Sequence, residues 1–321
     1  MPVDIALLIS NLTNPTLLFF LLGIVAAILK SDLEIPPTTV KFISLYLLFA
    51  IGFKGGQELA HHPFTMEIVF SLLFGLVISA AIPLYTFFIL KRRMNPSDAG
   101  ALAAAYGSVS AVTFVAAVSF LEAQELTFGG HMVAVMALME SPAIIMGIIL
   151  IMRYDPEMKG KTNLSEIVRH SFTNGSVLMV LGSLVIGIIA DSKQAEGIKP
   201  FTTDIFKGFL AIFLLEMGMA TARRFAAFKK YGLYAPVMGV LFPLINGCAV
   251  AWLSGFVTPD VGSRFIFAIL AASASYIAVP AAMNLAAPKA DPGLYIPMAL
   301  GITFPFNITA GMPLYYFIIT G

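Results

Sequence analysis

Of the chain's 321 residues, 59% are hydrophobic and 12% charged, with a formal net charge of +1 and a mean hydropathy of +0.90. A soluble globular protein carries about twice that charged fraction, so there is too little polar surface to coat one or two water-soluble domains. Neither the net charge nor any basic run points to nucleic acid, and the single cysteine, Cys248, excludes an internal disulfide.

The N-terminal stretch MPVDIALLIS holds Asp4 and no Lys or Arg. It lacks the basic region and small-residue cleavage site of a signal peptide and reads as retained. Apolar runs then recur at the roughly 17–25 residues needed to cross a hydrocarbon core. The first five centre on Thr16–Leu29, Val40–Phe53, Glu67–Leu90, Ala99–Leu121 and Gly129–Met152. After the polar stretch RYDPEMKGKTNLSEIVRH come five more, centred on Ser176–Ala190, Ile205–Thr221, Tyr234–Phe256, Arg264–Met283 and Leu294–Thr320. The pattern predicts an all-α integral membrane protein of ten transmembrane helices, with units 1–152 and 171–321 joined by a cytoplasmic linker, 153–170. With the N-terminus outside, the inward loops hold 14 of the 19 Lys and Arg, among them Lys91, Arg92, Arg93, Arg223 and Lys289. The positive-inside rule therefore puts both termini on the outer side of the cytoplasmic (inner) membrane.

The two units resemble each other. NPTLLFFLLGIVAAIL from Asn14 compares with NGSVLMVLGSLVIGII from Asn174, and YLLFAIG ending at Gly52 with IFLLEMG ending at Gly218. Ser108 and Ser110 fall opposite Ser273 and Ser275, and Pro142 near Pro305, at offsets of 160 to 166. A five-span unit that repeats must enter the membrane the other way up. This predicts two inverted repeats, an architecture of secondary transporters.

Spans 4 and 9 carry what a simple membrane helix would not: AAYGSVSAVTF and ILAASASYIAVP. Gly107 weakens a helix by about 1 kcal/mol and Pro280 by about 3 kcal/mol, and Ser and Thr hydroxyls bond freed backbone groups. Unwound backbone at membrane depth is tolerated where it lines a cavity, and two breaks at matching places in two repeats point to a transporter's substrate site. The candidate substrate-binding residues are therefore Gly107, Ser108, Val109, Ser110 and Thr113 in the first break and Ala272, Ser273, Ala274, Ser275 and Tyr276 in the second. Half-helix N-termini attract a small anion, and carbonyls at the opposite ends suit a hard cation such as Na+. Close packing by small residues is the alternative.

Glu140, in LMESPAIIM, lies two residues before Pro142, which frees the Leu138 carbonyl. A charge at the bilayer centre costs about 2.5–3.5 kcal/mol even on the lenient insertion scale, so Glu140 reads as a cation ligand or proton carrier, with a neutral helix-bridging carboxyl as the alternative. Ser110, Ser275, Thr303 and Asn307 complete the candidate cation site; for Asn307, interhelical bonding is an equal reading. Glu216, near a span end, reads as either a packing or an interfacial carboxylate, and Asn246 as interhelical glue. His61 and His62 read as solvated loop residues, and His131 and Trp252 as interfacial. KRR at Lys91 and ARRFAAFKK at Ala222 read as inner anchors, with a cytoplasmic regulatory partner as the further possibility.

No Gly-x-Ser-x-Gly, His-Glu-x-x-His or Walker loop is present, so neither an intramembrane enzyme nor an ATP-driven pump is expected, and inverted repeats with broken crossing helices fit alternating access better than a channel. NPTLLFFLLGIVAAIL, AIGFKGGQEL, AYGSVSAVTFVAAVSFLEA, MALMESPAII and LAASASYIAVPAAMNLAAP together resemble the sodium-dependent bicarbonate permease family of cyanobacteria, in order along nearly the whole chain. The resemblance implies a gate domain of spans 1, 2, 6 and 7 and a core domain of spans 3–5 and 8–10. It also implies a homotrimer and Na+-coupled, elevator-like bicarbonate uptake with no other cofactor. Gly107, Ser108, Ser110 and Thr113 would meet Ser273 and Ser275 around the anion. Where the family pattern runs Ser-Asp-Ile-Ser-Gly-Pro, this chain has Ser275-Tyr276-Ile277-Ala278-Val279-Pro280, and the family's long charged central insert is absent. The replaced acid leaves a Na+- or H+-coupled carrier of another small organic anion as the second reading.

Overall fold

The structure, a computed structural model, describes residues 15–61, 64–157, 169, 173–225 and 232–321. The N-terminal stretch read as retained, His62, most of the polar linker and the end of the basic stretch, 226–230, lie outside the described residues. Those described are helical, with no strand among them.

In chain order the helices are α1 (Pro15–Ile28), α2 (Pro37–His61), α3 (Met66–Leu90), α4 (Pro96–Gly107), α5 (Ala111–Ala123), α6 (His131–Tyr154) and α7 (Gly175–Ile189). There follow α8 (Ser192–Lys199), α9 (Phe206–Phe225), α10 (Tyr234–Leu253), α11 (Val261–Ala272), α12 (Ala278–Ala286) and the interrupted α13 (Pro292–Thr320). Among the described residues, seven helical stretches are long and apolar enough to cross a membrane: α2, α3, α4 with α5, α6, α8 with α9, α10 and α13. The other three expected spans fall on α1, α7 and α11, of 14, 15 and 12 residues. At 1.5 Å per residue the 15-residue α7 rises about 22 Å, short of the ~30 Å hydrocarbon core. α11 is the first half of a broken span that resumes as α12.

Packing divides the helices into two groups. α1 lies along α9 and α2 along α7. Both contacts run through glycines: a Cβ on Gly23 would meet the Leu215 carbonyl, one on Gly218 the Phe20 carbonyl, and one on Gly56 the Leu184 carbonyl and Gly187. Without side chains the backbones approach closely, which supplies the dispersion contact that drives helix association in lipid. In the second group α3 and α4 pack on α6, α10 packs on α11 and α13, and α5 crosses α11. The groups meet where α6 touches α2 and α7, where α9 touches α13, and where the Phe20 and Phe304 rings pack edge to face at 5.7 Å. At one end, Glu122 of α5 pairs with Lys54 of α2 at 3.5 Å and Lys207 of α9 at 3.2 Å.

Proline accounts for much of the internal polar bonding. Pro243 cannot donate to the Gly239 carbonyl, and Thr303 of α13 does so instead at 2.7 Å. α13, with Pro297, Pro305 and Pro313, takes two π-helical turns, Ala299–Thr303 and Asn307–Gly311. One placement differs from expectation, that of Glu216. His131 is 7% exposed, with Gly129 against its ring, and lines an open cavity at the start of α6 with Glu67, Asp260 and Ser263. Glu216, expected near a span end, lies half-buried midway along α9, with Oε2 unpartnered. His61 ends α2 exposed, and Trp252 is exposed with its ring against Phe256.

Candidate transport site at the crossing of two broken helices

The site is built where α4–α5 crosses α11–α12. α4 stops at Gly107 because the chain turns extended: Ser108 has φ −81°, ψ 173° and Ser110 φ −105°, ψ 109°. Gly107 is required there, since a Cβ would run into the Pro83 ring of α3. The chain re-enters helix at Ala111 with Ser110 as N-cap, its hydroxyl accepting from the Thr113 amide at 3.2 Å. That bond satisfies one of the orphan donors of the new helix.

The second break mirrors the first with a longer gap. α11 ends at Ala272, Ser273 is extended at φ −78°, ψ 167°, and α12 begins at Ala278 without a side-chain cap. Two bonds tie the breaks together. The Ser275 amide donates to the Ala105 carbonyl at 2.8 Å, and the Ser110 amide to Ser273 Oγ at 2.9 Å. Ser273 in turn donates to the Leu270 carbonyl at 2.8 Å, and Ser108 reaches the Glu140 carbonyl at 3.4 Å. Both breaks sit in low-dielectric surroundings, where unpaired backbone is expensive, and these bonds satisfy part of it.

A small cavity of about 20 Å³, open at one side, lies at the crossing. That is room for about one water molecule, so a larger solute needs the walls to part. Its walls are Val109, Ser110 and Ala111 from the first break, Ser275, Tyr276, Ile277 and Ala278 from the second, Glu140 from α6 and Ser176 from α7. The first residues of α5 and α12 thus both border it. The Glu140 carboxylate has no hydrogen bond or ion pair among the described residues, and neither does the Ser275 hydroxyl. Tyr276 directs its hydroxyl to the Met217 sulfur at 3.7 Å.

Of the residues expected to bind, the cavity gathers Val109, Ser110, Ser275, Tyr276 and Glu140. Gly107, Ser108, Thr113, Ala272, Ser273 and Ala274 lie beside it, in the breaks and their flanking turns. Thr303 and Asn307 are outside the cavity lining. Tyr106 donates to Thr303 at 2.9 Å while Thr303 donates onward to Gly239. The Asn307 amide donates to the Ala272 carbonyl, the last of α11, at 2.8 Å, and its oxygen lies 3.3 Å from the Tyr315 hydroxyl. Both brace the breaks from behind. Sequence reasoning missed Ser176; the available signal was the match of Asn-Pro-Thr at Asn14 with Asn-Gly-Ser at Asn174.

A family model described as the Na+-dependent bicarbonate transporter superfamily matches residues 15–320. A search of curated proteins gives no match. The chain belongs to the Na+-dependent bicarbonate transporter superfamily, and is thereby a membrane transporter and not an enzyme.

Proposed function

We propose that this superfamily member takes up bicarbonate with Na+ by alternating access, one helix group sliding past the other around the crossing. The observation that carries the reading is the small cavity where two half-helix starts, at Ala111 and Ala278, meet the Ser110 and Ser275 side chains and an unpaired carboxylate, Glu140. Unpaired amides at helix starts favour an anion. Glu140 opposes it: two like charges about 4 Å apart repel by about 4 kcal/mol at an effective dielectric of 20. A Na+ at Glu140 removes that repulsion, and oxygen donors suit it. Coupling then follows from charge balance, because neither ion binds well alone.

The packing supports an inverted repeat. The α1–α9 contact through Gly23 and Gly218 has its counterpart, with the repeats exchanged, in the α7–α2 contact through Gly187 and Gly52 with Gly56. On that reading α1, α2, α7 and α9 form the gate domain and α3–α6 with α10–α13 the core. The homotrimer, the inner-membrane location and the external termini are proposed with it, from the family resemblance and the distribution of Lys and Arg. Tyr276 favours the second reading, a Na+- or H+-coupled carrier of another small organic anion, because it lines the cavity where the family pattern has an acid.

Uptake of labelled bicarbonate into proteoliposomes, with an inward Na+ gradient or with K+ in its place, is the test. Accumulation with Na+ alone is expected. No uptake by folded protein under either condition would overturn the bicarbonate reading and turn the assay to a panel of small carboxylates.

A further inference from the structure

We propose that Ser176 is a substrate-binding residue, the contact to the anion supplied by the helix group that otherwise stands apart from the crossing. This rests on the cavity being the anion site. Ser176 lies in the first turn of α7, a helix of 15 residues that rises only about 22 Å. Its far end is anchored: Gln57 of α2 donates to the Ala190 carbonyl at 2.8 Å and also to that of Gly187. The start of α7 lies beside the cavity, and Ser176 forms a wall of it with Glu140, Ser275 and Tyr276.

The first turn is held independently of any ligand. The Asn174 side chain accepts from the Ser176 amide at 2.9 Å, and the Leu178 amide donates to the Asn174 carbonyl. The Ser176 hydroxyl, by contrast, has no hydrogen-bond partner among the described residues. A hydroxyl left unbonded on a cavity-lining residue is available to donate to an anion, whereas a structural serine in an apolar membrane helix returns its proton to a backbone carbonyl, as Ser183 of the same helix does to Met179.

The position gives Ser176 a consequence that Ser110 and Ser275 lack. Those two belong to the crossing and travel with it; Ser176 belongs to α7. An anion bonded to all three spans the boundary between the groups, so the site loses a donor when the groups slide. Ser176 thus sets affinity on the side to which the cavity opens.

The test has two readouts. The first is the KM for bicarbonate uptake in Ser176→Ala and Ser176→Thr. The second is the rate of thiol modification of Ser176→Cys, made in a Cys248→Ser background, with and without bicarbonate plus Na+. Ser176→Ala is expected to raise KM about tenfold, the effect of losing one hydrogen bond to a charged group, with the maximal rate kept. Ser176→Thr is expected to stay near wild type, and bicarbonate to slow modification of the cysteine. An unchanged KM in Ser176→Ala, or modification at the same rate with bicarbonate present, overturns the assignment. If wild type takes up no bicarbonate, the transport reading is what fails, and the labelling decides with the panel of small carboxylates: protection by one of them supports Ser176 as an anion contact, and protection by none removes it.

Discussion

The two breaks share a plan but not a finish. The first spans three residues, Ser108 to Ser110, is buried throughout and closes itself, since Ser110 caps the helix that follows. The second spans five, Ser273 to Ile277, has no side-chain cap, carries a tyrosine, and leaves Ile277 45% exposed. The first is held on both sides, by Pro83 against Gly107 and by Glu140 behind Ser108. The second rests on Asn307 and on the first break itself. Bracing is thus concentrated in one half of the crossing, and the exposed and aromatic side chains lie in the other.

Three substitutions test that division. The largest effect is expected from Gly107→Val, which drives a branched side chain into the Pro83 ring. Overpacking of this kind costs about 1–3 kcal/mol, read as a lower melting temperature in detergent together with lost uptake; an unchanged melting temperature would mean the first break is not the braced one. Next come the paired serines. Ser110→Ala removes a cap worth about 1 kcal/mol as well as a cavity hydroxyl, so melting temperature and anion affinity should both fall. Ser275→Ala removes only a cavity hydroxyl, so affinity should fall about tenfold with the melting temperature kept. Equal thermal losses in the two variants would erase the difference between the breaks. The smallest effect on folding, and a specific one on coupling, is expected from Glu140→Gln. Bicarbonate uptake should lose most of its Na+ activation, because the repulsion that Na+ relieves is gone. Na+ activation equal to wild type would take Glu140 out of the cation site.

Much of this was legible in the sequence, for identifiable reasons. Gly107, the serine pairs and Pro280 announce unwound backbone because helix propensity and lipid both penalise them. Glu140 announces itself by the cost of a buried charge. The apolar segments were legible because each falls on helix. What was not legible depends on register and depth. Thr303 and Asn307 sit in or beside π-helical turns, and each such turn adds a residue and rotates everything after it. Which way their side chains face could not be counted from the sequence, and both turn to brace carbonyls. Ser176 was missed because a serine at a helix start reads as an ordinary first turn; that α7 begins beside the cavity emerges only from the packing.

One bond at the crossing has a wider meaning. The Ser275 amide holds the Ala105 carbonyl main chain to main chain, and no replacement of Ser275 other than by proline, which lacks the N–H, removes the donor. The Tyr276 side chain takes no part in this link, and the two broken helices are tied through their main chains. A chain tied in this way can exchange a side chain at the crossing and keep the crossing itself.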